Sequence, residues 1–143
     1  MKKLIQACTI LTLVVAFTVV SVSAKSVMRF DADIPFDFSI GQKSFPAGTY
    51  VIKVTKISSD TGYLSLENSK GDRLENVLVT TSGDAAKAAP TFIFHRYENQ
   101  RFLAKIMMPE SGLVLPLSKN EKQLVKKTRR GNSKTQIALA IIH

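Results

Sequence analysis

The amino-acid sequence predicts an all-β fold, an antiparallel β-sandwich or small barrel of about seven or eight strands with one C-terminal surface helix. Three observations carry that expectation. Apolar and polar residues alternate from Met28 to Ile40, turn-forming clusters recur along the chain, and a single capped helical segment follows Ser118. Alternate strand residues point to opposite faces, so the period of two is a strand signature that no helix reproduces.

In the first run Met28, Phe30, Ala32, Ile34, Phe36, Phe38 and Ile40 alternate with Arg29, Asp31, Asp33, Pro35, Asp37 and Ser39. Pro35 has no N–H to donate, which implies an edge strand or a break into two strands there. Gly41-Gln42-Lys43 and Pro46-Ala47-Gly48 turn the chain before Tyr50, Ile52 and Val54 begin the next strand. After the loop from Ser58 to Gly62, Leu64 and Leu66 face inward, and Asn68 to Asp72 connects a hairpin to the segment from Arg73 to Thr80. There Leu74 and Leu78 keep one phase while Val77 and Val79 take the other, which requires a bulge or burial on both faces.

Thr91–Tyr97 and Arg101–Met108 form a further hairpin around Glu98-Asn99-Gln100, with Phe92 and Phe94 on one face. Phe102, Ala104, Ile106 and Met108 are expected to share a face of the second strand. Ser118 followed by Glu121 has the form of a helix capping box, and Gly131 is a fitting stop. The helix is expected over about 119–130. Its only apolar anchors are Leu124 and Val125, so it should lie on the surface. The run Ile137–Ile142 is consistent with a buried final strand over about 136–142, with a short helix as the alternative because Ala and Leu favour one.

The first 24 residues read as a cleavable secretory signal. Lys2 and Lys3 lead an uncharged stretch from Leu4 to Val20, and Val22-Ser23-Ala24 offers small residues for cleavage between Ala24 and Lys25. An uncleaved membrane anchor is the minor alternative, because Leu4 to Val22 is long enough to span a bilayer. Cleavage leaves residues 25–143 as a single domain in the periplasm or outside the cell. It also removes Cys8, the one cysteine of the chain, and with it any disulfide, thiolate nucleophile or cysteine metal site.

Charge is unevenly placed. Two of the 20 Lys and Arg fall in the signal, so 18 face 11 acids in the mature region. Lys119, Lys122, Lys126, Lys127, Arg129, Arg130 and Lys134 stand against Glu121 alone, a local net of +6 on a domain otherwise near neutral. Such a segment is either an ordinary solvated face that keeps the protein soluble or a contact for an anionic polysaccharide, a lipopolysaccharide or a lipid surface. Nucleic acid is disfavoured, because the segment has no interleaved aromatics or recognised motif and the chain is addressed for export.

No catalytic constellation accompanies the two histidines, His95 and His143. The competing reading is a small exported hydrolase or isomerase with a loop-built site near His95, which would act as base. Asp31, Asp33 and Asp37 share a polar face, but Asp31 and Asp37 lie about 20 Å apart on an extended strand, too far to share one ion. No metal or other cofactor is expected. Self-association through the Pro35-containing edge strand is a further possibility.

Three stretches together resemble a family of small exported β-proteins common in acidobacterial genomes. The first is Ile34-Pro35-Phe36-Asp37-Phe38 with Gly41 and Phe45-Pro46-Ala47-Gly48-Thr49-Tyr50; the second is Phe94-His95-Arg96-Tyr97 with Asn99-Gln100 and Phe102-Leu103-Ala104; the third is Leu115-Pro116-Leu117-Ser118-Lys119 with Glu121 and Leu124. The resemblance implies an exported β-protein and brings no catalytic residues.

Overall fold

The computed structural model describes residues 25–87, 89–128 and 135–140. The proposed signal, residues 1–24, lies outside them. Ten strands form one open sheet, and the chain has one helix among the described residues. The all-β class holds. The strand number exceeds the expectation because the first alternating run divides into two strands and two three-residue strands, Lys43–Phe45 and Gly112–Val114, join the sheet.

The alternating run splits at Pro35. β1 (Val27–Ile34) ends just before it, and β2 (Phe38–Ile40) resumes three residues beyond. β3 (Lys43–Phe45) then pairs back on β2, and β4 (Gly48–Lys56) pairs antiparallel with β1 along its whole length. β5 (Thr61–Asn68) and β6 (Arg73–Ser82) continue the sheet. The phase conflict in β6 resolves as a bulge: Leu66 faces Glu75, but Glu67 faces Arg73, leaving Leu74 as the extra residue. Leu74 and Val77 therefore both pack on the core, Val79 is fully buried, and Leu78 is 48% exposed.

β7 (Thr91–Tyr97) and β8 (Gln100–Met107) form the expected hairpin, and β9 (Gly112–Val114) bridges β8 to β6. β8 is the branch point of the sheet. One edge takes β7; the other takes β9 at residues 105–107 and β2 at Phe102, where Ser39 makes the single parallel bridge among the described residues. β10 (Thr135–Ala140) closes onto β7. This starts one residue before the expected final strand, whose residues 141–142 lie outside the described set.

A second bulge corrects the sequence reading of β8. The register shifts between Ile93 and Phe94, so Ile93 faces Lys105 while Phe94 faces Leu103. The shift brings Leu103 into the core with Ile106 and Met108 and leaves Phe102 and Ala104 outside that cluster. Strict alternation cannot anticipate this, because one extra residue exchanges the two faces of everything beyond it.

The sheet curls so that strands which do not pair meet across the core, with Phe30 of β1 and Phe92 of β7 edge-to-face at 6.4 Å. The sheet does not close: among the described residues β1 pairs only with β4, which makes it the edge strand that Pro35 implies.

One end of the core is aromatic. Phe38 contacts Phe45, Tyr50 and Phe94 at ring separations of 5.3–5.9 Å, and Phe36 meets Phe94 at 5.0 Å. The Tyr50 hydroxyl donates to the Pro46 carbonyl at 2.6 Å, and Asp37 accepts from the Ala47 amide at 2.9 Å. Burial, with the nearby Asp37 charge second, raises the Tyr50 phenol above its ordinary pKa. The residues of the first resembling stretch thus meet in space as a turn and its packing partners.

Candidate functional site

The helix α1 (Lys119–Thr128) begins where the sequence places it. Ser118 is the cap: its Oγ accepts from the Glu121 amide at 3.1 Å, and its carbonyl accepts from the Lys122 amide at 2.9 Å. The reciprocal half of the capping box is absent. The Glu121 side chain turns instead to the sheet, where Oε1 accepts from His95 Nδ1 at 3.1 Å and from the Tyr97 hydroxyl at 3.2 Å.

This arrangement explains why two polar residues of β7 are buried. His95 and Tyr97 project from the face opposite Phe92 and Phe94, and α1 covers them there. His95 is 8%, Tyr97 2% and Glu121 3% exposed. An ionised carboxylate only accepts, so the network assigns the His95 hydrogen to Nδ1. His95 packs edge-to-face on Tyr97, which in turn meets Phe102 at 6.0 Å. Burial first, then the charge of Glu121 and the hydrogen bond to it, push the Tyr97 phenol up to about 12. It stays a neutral donor throughout the physiological range.

The outer face of the helix has the opposite character. Lys119, Lys122, Lys126 and Lys127 are exposed, and none of them forms an ion pair among the described residues. Leu124 and Val125 are half-buried, as a surface helix requires. Arg129, Arg130 and Lys134 lie outside the described residues. The sequence counts Glu121 as the one acid tempering this segment. In the fold that acid sits beneath the helix, and the solvent side carries cations alone.

The acidic candidates separate. Asp31 pairs with Arg29 on its own strand at 3.1 Å, whereas Asp37 lies beyond the strand break and holds the Ala47 turn. Among the described residues no group of three or more His, Cys, Asp or Glu is placed to hold a metal ion.

His95 has acquired a carboxylate partner that its sequence neighbours did not reveal. A His–carboxylate pair can orient an imidazole for proton transfer, but proton transfer also needs access to the substrate. Three clefts formed by the described residues, of about 250–460 Å³, have none of His95, Tyr97 or Glu121 in their walls. One of them, about 460 Å³, is lined by the apolar Met28, Phe30 and Met108 together with Lys56 and Glu110. Sequence reasoning missed the triad because Glu121 stands 26 residues from His95. The available signal was a strand that places a histidine and a tyrosine on one face, since buried polar groups require partners.

No helix among the described residues is long and apolar enough to cross a membrane. No protein-family model, no curated protein and no solved structure matches this chain.

Proposed function

We propose that this chain is an exported, non-catalytic β-domain that engages a polyanionic component of the cell envelope through the lysine face of α1. The observation that carries the reading is the inward turn of Glu121. The only acid of the helix is spent on docking it to β7, so Lys119, Lys122, Lys126 and Lys127 present charge of one sign to solvent. An amino-terminal export signal would bring that surface to acidic polysaccharide, lipopolysaccharide or anionic lipid. The helix buries too little apolar surface for membrane insertion, which favours contact at the surface of such a partner.

The test is retention on immobilised polygalacturonate, on lipopolysaccharide and on anionic phospholipid vesicles across a salt series. Each lysine near an anionic surface contributes about 1 kcal/mol, so replacing all four by Gln should weaken binding on the order of a thousandfold at low salt. Retention of wild type should fall steeply with salt as the charges are screened. Unchanged retention of the folded quadruple variant would overturn the proposal.

The enzyme reading draws on one observation, the 3.1 Å approach of Glu121 to His95 Nδ1. A structural latch accounts for the same contact and also for the burial of all three members, so the binding reading is preferred. Hydrolysis of an ester or glycoside panel that disappears in a folded His95→Gln variant would reverse that preference.

A further inference from the structure

A second surface feature lies just past the β7–β8 turn. A polar cleft of about 250 Å³ is lined by Asp37, Ser39, Ser44, Asn99, Gln100 and Arg101, with Phe38 at its base. The elements that meet there are β2, β3 and the start of β8, joined by the parallel Ser39–Phe102 bridge. The bridge depends on tertiary folding, so no local stretch of sequence announces the cleft.

Its chemistry is incomplete in a specific way. The Arg101 guanidinium lies 4.9 Å above the Phe36 ring; its Nε is closed off from solvent, so its terminal nitrogens, which make no hydrogen bond among the described residues, are the ones a ligand in the cleft would meet. Among the described residues Arg101 forms no ion pair, although Asp37 lines the same cleft. A half-buried guanidinium ordinarily binds a carboxylate or carbonyl, because unmade bonds to a desolvated cation are costly. Asp37, which lines the same cleft, uses Oδ1 for the Ala47 amide, and Oδ2 has no hydrogen bond among the described residues. Ser39 and Ser44 hydroxyls bond each other at 2.9 Å, which leaves one hydrogen of the pair unspent.

The turn that supplies Asn99 and Gln100 is strained. Glu98 has φ of 53°, the left-handed region that a side chain other than Gly, Asn or Asp seldom occupies. Backbone held in such a conformation costs of order 1–3 kcal/mol and recurs at ligand sites. The same turn brings Asn99 and Gln100 into the lining of the cleft.

From these features we infer that the cleft is a saccharide subsite, holding the hydroxyls of one sugar ring between the Arg101 guanidinium and the Asp37 carboxylate. A sugar hydroxyl both donates and accepts. It can therefore give Arg101 an acceptor, give Asp37 a donor, and meet the Asn99 and Gln100 amides in either sense. The two opposite charges lining one small space make a neutral ligand the best match, since an anion would face Asp37 and a cation Arg101. The volume lies just below the about 300–1,000 Å³ of drug-sized pockets, which suits a single ring. This site is separate from the lysine face of α1 and does not depend on it.

The experiment is a ¹⁵N–¹H NMR titration of the protein with methyl glucoside, methyl galactoside and N-acetylglucosamine, with acetate, inorganic phosphate and glycine as controls. At least one sugar should shift the amides of Asn99, Gln100, Arg101 and Ser44 in a saturable way. Arg101→Met, which keeps the packing on Phe36, should weaken that sugar about tenfold or more. Gln100→Ala, at the exposed turn, should weaken it less and provides the check should Arg101→Met fail to fold. The four-lysine Gln variant should bind the sugar unchanged. Absence of saturable shifts with all three sugars would overturn the inference. So would equal shifts with phosphate, acetate or glycine, or full sugar affinity in both cleft variants.

Discussion

Replacing Glu121 by Ala tests the central contact of the fold. The carboxylate accepts hydrogen bonds from two buried donors, His95 Nδ1 and the Tyr97 hydroxyl. Each donor left without a partner costs about 1–3 kcal/mol, and some of that would be recovered as water enters beneath a loosened helix. A loss of about 2–5 kcal/mol is expected, a large part of the about 5–15 kcal/mol that holds a typical domain together. Glu121→Gln keeps one acceptor and should cost about 1–2 kcal/mol. Urea unfolding followed by circular dichroism would read the change as a shift of midpoint at constant slope. The cycle of Glu121→Ala with Tyr97→Phe adds a second readout, with a coupling of about 0.5–3 kcal/mol expected for groups in one network. A Glu121→Ala loss below about 0.5 kcal/mol, the range of ordinary surface substitutions, would refute the latch. Zero coupling to Tyr97 would do so independently.

Two further outcomes follow from the geometry. The Tyr97 phenol is pushed up from 10.0 to about 12, so between those pH values the folded chain retains a proton that the unfolded chain releases. The stability tied to this group is complete below pH 10 and is lost as pH rises toward 12, by about 2–3 kcal/mol. Absorbance at 295 nm should show Tyr97 ionising at about 12, with Tyr50 also delayed by its burial, and Tyr97→Phe should remove the step at about 12; its persistence there would contradict the assignment. Gly112 is required by contact: a Cβ there would stand 2.5 Å from the Asp84 carbonyl oxygen and 2.6 Å from Ser82 Oγ. Gly112→Ala should cost about 1–3 kcal/mol in the same urea assay. Gly83→Ala, with nothing within 4 Å, should fall within about 0.5 kcal/mol, and equal costs at the two positions would contradict the packing account.

The roles of the resembling stretches become clear only in three dimensions. Asp37, Phe38, Phe45, Pro46, Ala47 and Tyr50 build one turn and its aromatic support. His95 and Tyr97 from the second stretch meet Ser118 and Glu121 from the third through a single carboxylate. Most of these residues act as structure, while Asp37, Asn99 and Gln100 also border the polar cleft.

By itself the sequence determined the all-β class, the break at Pro35, the hairpin around Glu98 and the helix start at Ser118. Each is a local property. Side-chain alternation, a missing N–H and a capping hydroxyl act within a few residues, so their effects can be read in order along the chain. A bulge in β6 was one of two readings open in the sequence, because the conflict of phase between Leu74 and the pair Val77 and Val79 lies within one strand. Only the tertiary structure decided which face of β8 enters the core, since the bulge opposite Phe94 depends on its pairing with Leu103 and not on β8 alone. The direction of Glu121 was decided there too. A glutamate at that position can return to its own cap or reach outward, and the choice rests on the two buried donors of a strand 24 and 26 residues away. That long-range choice gives α1 a solvent face of uniform charge, a property that counting the same residues in sequence does not disclose.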